Sequence, residues 1–154
     1  MPFDQLRRRI CAGIVLAPFS GSLLATTELP VVDVWKSPTC GCCNDWIKHL
    51  EQNGFTVRAH DTGNNVVRER LGMPSRYASC HTARVGGYAV EGHVPASDVI
   101  RLLTEKPDAV GVAVPQMPVG SPGMDGPVYR GRVDPYDVLL VAKDGSASVF
   151  QSYR

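Results

Sequence analysis

Apolar and polar positions recur with a readable period along most of the chain. Val31 to Trp35 is a run of β-formers and predicts a strand. Ser37-Pro38-Thr39 predicts a turn. From Gly41 to Gln52, Cys43, Trp46, Ile47 and Leu50 recur at three- and four-residue spacing, one face of a helix. Asn53-Gly54 ends it with a left-handed cap. Phe55 to His60 alternates and predicts a second strand. Asn64 to Leu71 predicts a short helix stopped by Gly72 and Pro74. Thr82 to Val90 holds Gly86-Gly87 between two apolar stretches, a hairpin pattern. Pro95 to Lys106 predicts a third helix, with Val99, Ile100, Leu102 and Leu103 toward the core. Ala109 to Val114 predicts a strand. Pro115 to Asp134 is a long proline- and glycine-rich loop, and such loops are often functional. Tyr136 to Ala142 and Ala147 to Gln151 predict a closing hairpin across Asp144-Gly145.

The order β-α-β-α, hairpin, helix, with cysteines between the first strand and first helix, points to an α/β thioredoxin-like fold. It is a layered sheet with flanking helices and an added C-terminal hairpin. No internal repeat or domain boundary interrupts it, so residues 26–154 are expected to form one domain.

Residues 1–25 read as a signal peptide. Arg7, Arg8 and Arg9 precede an apolar run from Ile10 to Ala17, and a cleavage site falls near Ala25. The run breaks at residues 17–22 and is short for a span of about 20 residues. Cys11 would leave with this segment. The expected location is therefore the periplasm, with no membrane attachment after cleavage. The full chain carries a net charge of +1. Cleavage would leave thirteen basic against fourteen acidic side chains. Such a near-neutral surface excludes electrostatic capture of nucleic acid or anionic membrane.

Candidate chemistry centres on Thr39-Cys40-Gly41-Cys42-Cys43-Asn44. Cys40 and Cys43 are spaced C-x-x-C at a helix start, where amide N–H groups and the helix dipole favour thiolates. A thiolate is both a nucleophile and a soft-metal ligand. Cys42 is one thiol more than a redox pair needs, and it would compete for mixed disulfides. By fold analogy, Cys80 in Ala78-Ser79-Cys80-His81-Thr82 lies on the loop that faces the C-x-x-C turn. Three readings remain open: metal binding, dithiol redox chemistry and structural disulfides.

Charge favours monovalent soft ions. Four thiolates bring −4; one Zn²⁺ would leave −2, whereas four Cu⁺ would leave zero. Structural zinc usually shows two C-x-x-C knuckles, and this chain has one. Met117 and Met124, in a loop with few other large apolar side chains, add two thioethers suited to copper(I), or else packing groups. His81 is a candidate ligand or supporting group. His93 and His49 are expected at the surface, His60 in a structural role, and Trp35 and Trp46 beneath the cluster. No phosphate loop, Ser-His-Asp pattern or paired-carboxylate signature supports a hydrolase.

Four segments carry a family likeness: residues 34–43, residues 79–82, Val94-Pro95-Ala96, and residues 114–124 with both methionines. Together they resemble the CopG-type periplasmic copper-resistance proteins, a family also known as an uncharacterised metal-binding domain family. The resemblance covers residues 31–152. It implies a thioredoxin-like fold and copper(I) held by Cys40, Cys42, Cys43 and Cys80 as sulfurs bridging several ions. It further implies a Cu(I)/Cu(II) redox role and dealings with other periplasmic copper-handling proteins. Zinc is the alternative ion. The alternative functions are a thiol–disulfide oxidoreductase, with Cys40 attacking and Cys43 resolving, and a copper oxidoreductase that uses the same four cysteines and adds turnover.

Overall fold

The computed structural model describes residues 28–154; the expected signal segment, residues 1–25, lies outside the described residues. The elements run β1 (Val32–Lys36), α1 (Gly41–Gln52), β2 (Val57–His60), α2 (Asn65–Arg70), β3 (His81–Val85), β4 (Tyr88–Glu91), α3 (Ala96–Glu105), β5 (Gly111–Ala113), β6 (Tyr136–Val141) and β7 (Ala147–Tyr153). Two 3-10 turns, Ser75–Tyr77 and Pro127–Tyr129, sit in the connections. The strands form one mixed sheet in the order β2-β1-β3-β4-β5-β6-β7. β1 runs parallel to β2 and β4 parallel to β5; the other neighbours are antiparallel. This is the thioredoxin-like layered architecture with its C-terminal hairpin.

Alternation along the strands divides the sheet into two faces. Val32 and Val34 of β1, Ala83 and Val85 of β3, Val90 of β4 and Val112 of β5 turn to one face. There they meet Trp46 and Leu50 of α1 and Val99 and Leu102 of α3 in the larger core. The other face carries a smaller core of Met73, Ala89, Ala113 and Val141. It also carries charged groups: Asp33 sits among Arg58, His60 and Arg84, and Arg68 pairs with Glu91.

The helical period of α1 holds: Cys43, Trp46 and Leu50 are buried. Gly54, at φ +88°, takes the left-handed position that closes the helix. Ile100 departs from expectation. It is 36 % exposed on the flank of α3, because Ala96, Val99 and Leu102 already fill the three-and-four-spaced inner stripe. Trp35 departs too. It stacks on His60 at 4.8 Å at the β1–β2 edge rather than beneath the cysteines, since strand alternation turns it away from Val34.

Candidate metal centre

β1 ends at Lys36, and the turn through Ser37-Pro38-Thr39 delivers the chain to the first turn of α1. Cys40 stands in the N-cap position with extended backbone and no side-chain cap. The sulfurs of Cys40, Cys42 and Cys43 are thus gathered at a helix N-terminus whose amides are uncapped by any side chain. Opposite them, Cys80 leads into β3. Its sulfur lies 3.5 Å from that of Cys43 and 4.0 Å from that of Cys42. Cys40 and Cys42 sulfurs are 3.6 Å apart. All four sulfurs lie within 4.8 Å of one another.

Cys40 and Cys43 are joined by a disulfide, with Cα atoms 5.4 Å apart; Cys42 and Cys80 are free. A C-x-x-C pair on one helical turn meets the distance requirement of such a bond. Two of the four sulfurs are available as metal ligands only after two-electron reduction. The donor set fits a soft cation. Two thiolates on one ion at about 2.3 Å each stand up to about 4.6 Å apart, which spans the 3.5, 3.6 and 4.0 Å separations. Burial, with Cys42 beside it, pushes the Cys80 thiol up to about 12. A bound cation beside the Cys80 sulfur would supply the charge that burial denies its thiolate.

Two buried histidines border Cys80. His93, expected at the surface, is fully buried. Its Nδ1–H donates to the Pro122 carbonyl at 2.8 Å. Its Nε2 lies 3.1 Å from the Cys80 sulfur. The carbonyl can only accept, so Nε2 keeps the lone pair; burial holds the ring below the usual histidine range and neutral. The proline-glycine loop folding back over β4 is what buries this ring, and no local pattern around Gly92-His93 announces it. His81 is also fully buried, with Nδ1 3.4 Å from the Cys80 sulfur. Its Nε2 has no hydrogen-bond partner among the described residues. Burial, and then His93, push its pKa well below the usual range. The ring packs against Trp46, centroids 4.3 Å apart. Cys80, His81 and His93 thus form a second group able to hold a metal ion, sharing its sulfur with the first.

Of the two tryptophans expected beneath the cluster, one is there. Trp46 is fully buried beside the site, and its Nε1–H donates to the Val94 carbonyl at 2.8 Å. His49 is not solvent-facing. Its Nε2 accepts the Ala96 backbone N–H at 3.0 Å and so ties α1 to the start of α3. The methionine loop returns to the site at Gly123. A Cβ there would lie 2.6 Å from the Cys42 carbonyl oxygen and 2.8 Å from the Trp46 backbone nitrogen. Glycine, at φ +84°, is what lets the two backbones touch. Next to it, Met124 is 8 % exposed and its Sδ accepts the Tyr129 hydroxyl at 3.3 Å. Met117 is 47 % exposed. It follows Gln116, whose N–H donates to the Ala78 carbonyl beside the Cys80 loop.

Sequence reasoning missed five polar groups behind Cys80: Asn64, Arg68, Ser79, Thr82 and Glu91. The one local sign was a carboxylate, Glu91, ending an otherwise apolar strand. No helix among the described residues is long and apolar enough to cross a membrane.

Residues 77–124 match a family described as "Protein of unknown function, DUF411". No curated protein matches the chain. Two solved structures do. "Copper resistance protein copG- Form 1" is 49 % identical, with TM-score 0.75, over 82 % of this chain and 98 % of its own. "Copper resistance protein copG- Form 2" is 48 % identical, with TM-score 0.76, over 82 % of this chain and 100 % of its own. Likeness of that extent, spanning the cysteine turn, the Cys80 loop and the methionine loop, places the chain in the CopG copper-resistance family.

Proposed function

We propose that the chain takes up copper(I) in the periplasm through Cys40, Cys42, Cys43 and Cys80, acting together as bridging thiolates. The observation that carries this reading is the convergence of four sulfurs from two distant segments within 4.8 Å. Copper(I) is favoured over zinc by charge: several monovalent ions neutralise crowded thiolates that one divalent ion would leave anionic. His93, anchored through Nδ1, and His81 supply neutral nitrogens at the edge of the same site; a backbone carbonyl on the far nitrogen is the usual orientation device of a metal-bound histidine. Met117 and Met124 join as thioether candidates on the loop that covers it. Copper ions are the cargo, and other periplasmic copper-handling proteins are the expected donors or acceptors.

The Cys40–Cys43 disulfide supports a second reading, a thiol or copper oxidoreductase. Oxidising that dithiol releases two electrons, enough to reduce two Cu(II) to Cu(I), and its reduction returns the two ligands. Anaerobic loading separates these readings. The reduced protein is offered Cu(I) and Zn(II) in turn, and metal per chain is read by elemental analysis after desalting. More than one copper per chain, with zinc displaced, is expected. Retention of zinc alone, or of no metal, would overturn the copper reading. Turnover of disulfide substrates by a Cys80→Ala variant as fast as by wild type would favour the oxidoreductase.

A further inference from the structure

Cys80 must be held against the cysteine turn by something other than its own strand, because it lies just before β3 begins. The backbone at Ser79 is gripped from the opposite face of the sheet. Its N–H donates to Glu91 Oε1 at 2.7 Å. Its carbonyl, which belongs to the peptide joining it to Cys80, accepts from Arg68 at 3.0 Å and from Asn64 at 3.2 Å. Arg68 and Glu91 are themselves a buried ion pair at 2.9 Å, with side chains 9 % and 0 % exposed. Glu91 Oε2 accepts the Thr82 hydroxyl at 2.6 Å, and Asn64 also donates to Thr82. Arg68 is pinned in turn by the Asn65 carbonyl oxygen of its side-chain amide, at 2.9 Å. Asn64 stands at the N-cap position of α2 without capping it; its amide is spent on Ser79 and Thr82. On the near side, the Ser79 hydroxyl donates to the Gln116 carbonyl. Gly92 leaves no room for a side chain, since a Cβ would lie 2.5 Å from the Ser79 hydroxyl oxygen.

A buried ion pair is weak evidence for stability, because desolvation offsets its attraction. Its use here is geometric. Every polar atom of the Ser79 backbone is assigned a partner, and three of those contacts come from two buried, mutually paired side chains and Asn64. We infer that Arg68, Glu91 and Asn64 are positioning residues: they fix the Cys80 sulfur at the cysteine turn without touching the metal, and so set the affinity of the site for copper(I). This rests on the copper reading above. None of the three reaches the sulfurs, and all act through the Ser79–Cys80 peptide.

The decisive variant is Arg68→Met/Glu91→Leu. Apolar replacement leaves no unpaired buried charge; it frees the Ser79 N–H and the Thr82 hydroxyl, so the grip is removed in a folded variant whose unfolding temperature is lowered. Thermal unfolding and copper-edge X-ray absorption are read beside Cu(I) affinity against a chromogenic chelator. The expected result is a folded protein whose affinity falls about tenfold or more, the usual scale for supporting residues around metal ligands, with an altered copper–sulfur signature. Asn64→Ala, which keeps the ion pair, should fall in the same direction by less and serves alone if the double variant does not fold. Wild-type affinity and signature in a folded double variant would overturn the inference, as would an unaltered Asn64→Ala where only that variant folds. Cys80→Ala is run in parallel. If it too binds copper like wild type, the fault lies with the copper reading, not with the positioning.

Discussion

The two halves of the sulfur cluster are held by different physics. Cys40, Cys42 and Cys43 are placed by four consecutive residues at the opening of α1, so their spacing is local and helical. Cys80 is placed by contacts that its neighbour Ser79 makes with α2, the end of β4 and the proline-glycine loop, eleven, twelve and thirty-seven residues away in sequence. The first half survives wherever α1 starts; the second exists only when the whole sheet is assembled. A site built this way is complete only in the folded sheet, because one of its four sulfurs is placed by tertiary contacts.

Breaking the remote arm should have the largest effect. Cys80→Ala takes the sulfur shared by both groups able to hold a metal, and on the proposed reading most copper(I) should be lost in anaerobic loading while thermal unfolding stays close to wild type. Gly123→Ala attacks the seam between the arms. It forces a side chain into the Cys42 carbonyl at a left-handed backbone position, a strain of about 1–3 kcal/mol. A fall of several degrees in Tm, by calorimetry, checks it. Trp46→Phe weakens the local arm from below. It leaves the Val94 carbonyl without its donor, at a cost of about 1–3 kcal/mol, read from urea midpoints.

The smallest effect is expected on the strand that feeds the local arm. Burial raises the Asp33 carboxyl, but hydrogen bonds from His60, Arg84 and Arg58 outweigh it and hold the group at about 2, below its ordinary 3.8. A depressed carboxylate contributes stability that is complete above about pH 4 and is lost as pH falls toward 2. Asp33→Asn should therefore unfold more readily than wild type at pH 7, and the gap should close between pH 4 and pH 2. Denaturation curves at those three values measure it.

The same division decides what was legible in the sequence. The strands, all three helices and the closing hairpin follow from period and turn chemistry, which are local signals. Cys43, Trp46 and Leu50 could be assigned to a buried helical face from spacing alone. The C-x-C-C cysteines were legible for the same reason, and Cys80 through analogy with a known layer fold. His93 was misread because its burial depends on Pro122, twenty-nine residues on in the chain. His49 and Trp35 were misread because a helix flank and a strand's second face look alike until their neighbours are placed. Arg68 and Glu91, twenty-three residues apart, have no shared pattern that could have paired them.

The most direct measurement is X-ray absorption at the copper edge on the reduced protein, loaded anaerobically and desalted. A cuprous edge, a first shell of sulfur at about 2.3 Å and a copper–copper scattering path are expected from four converging cysteines. A first shell of nitrogen or oxygen without sulfur, or no copper retained on the reduced chain, would contradict that convergence as the seat of function.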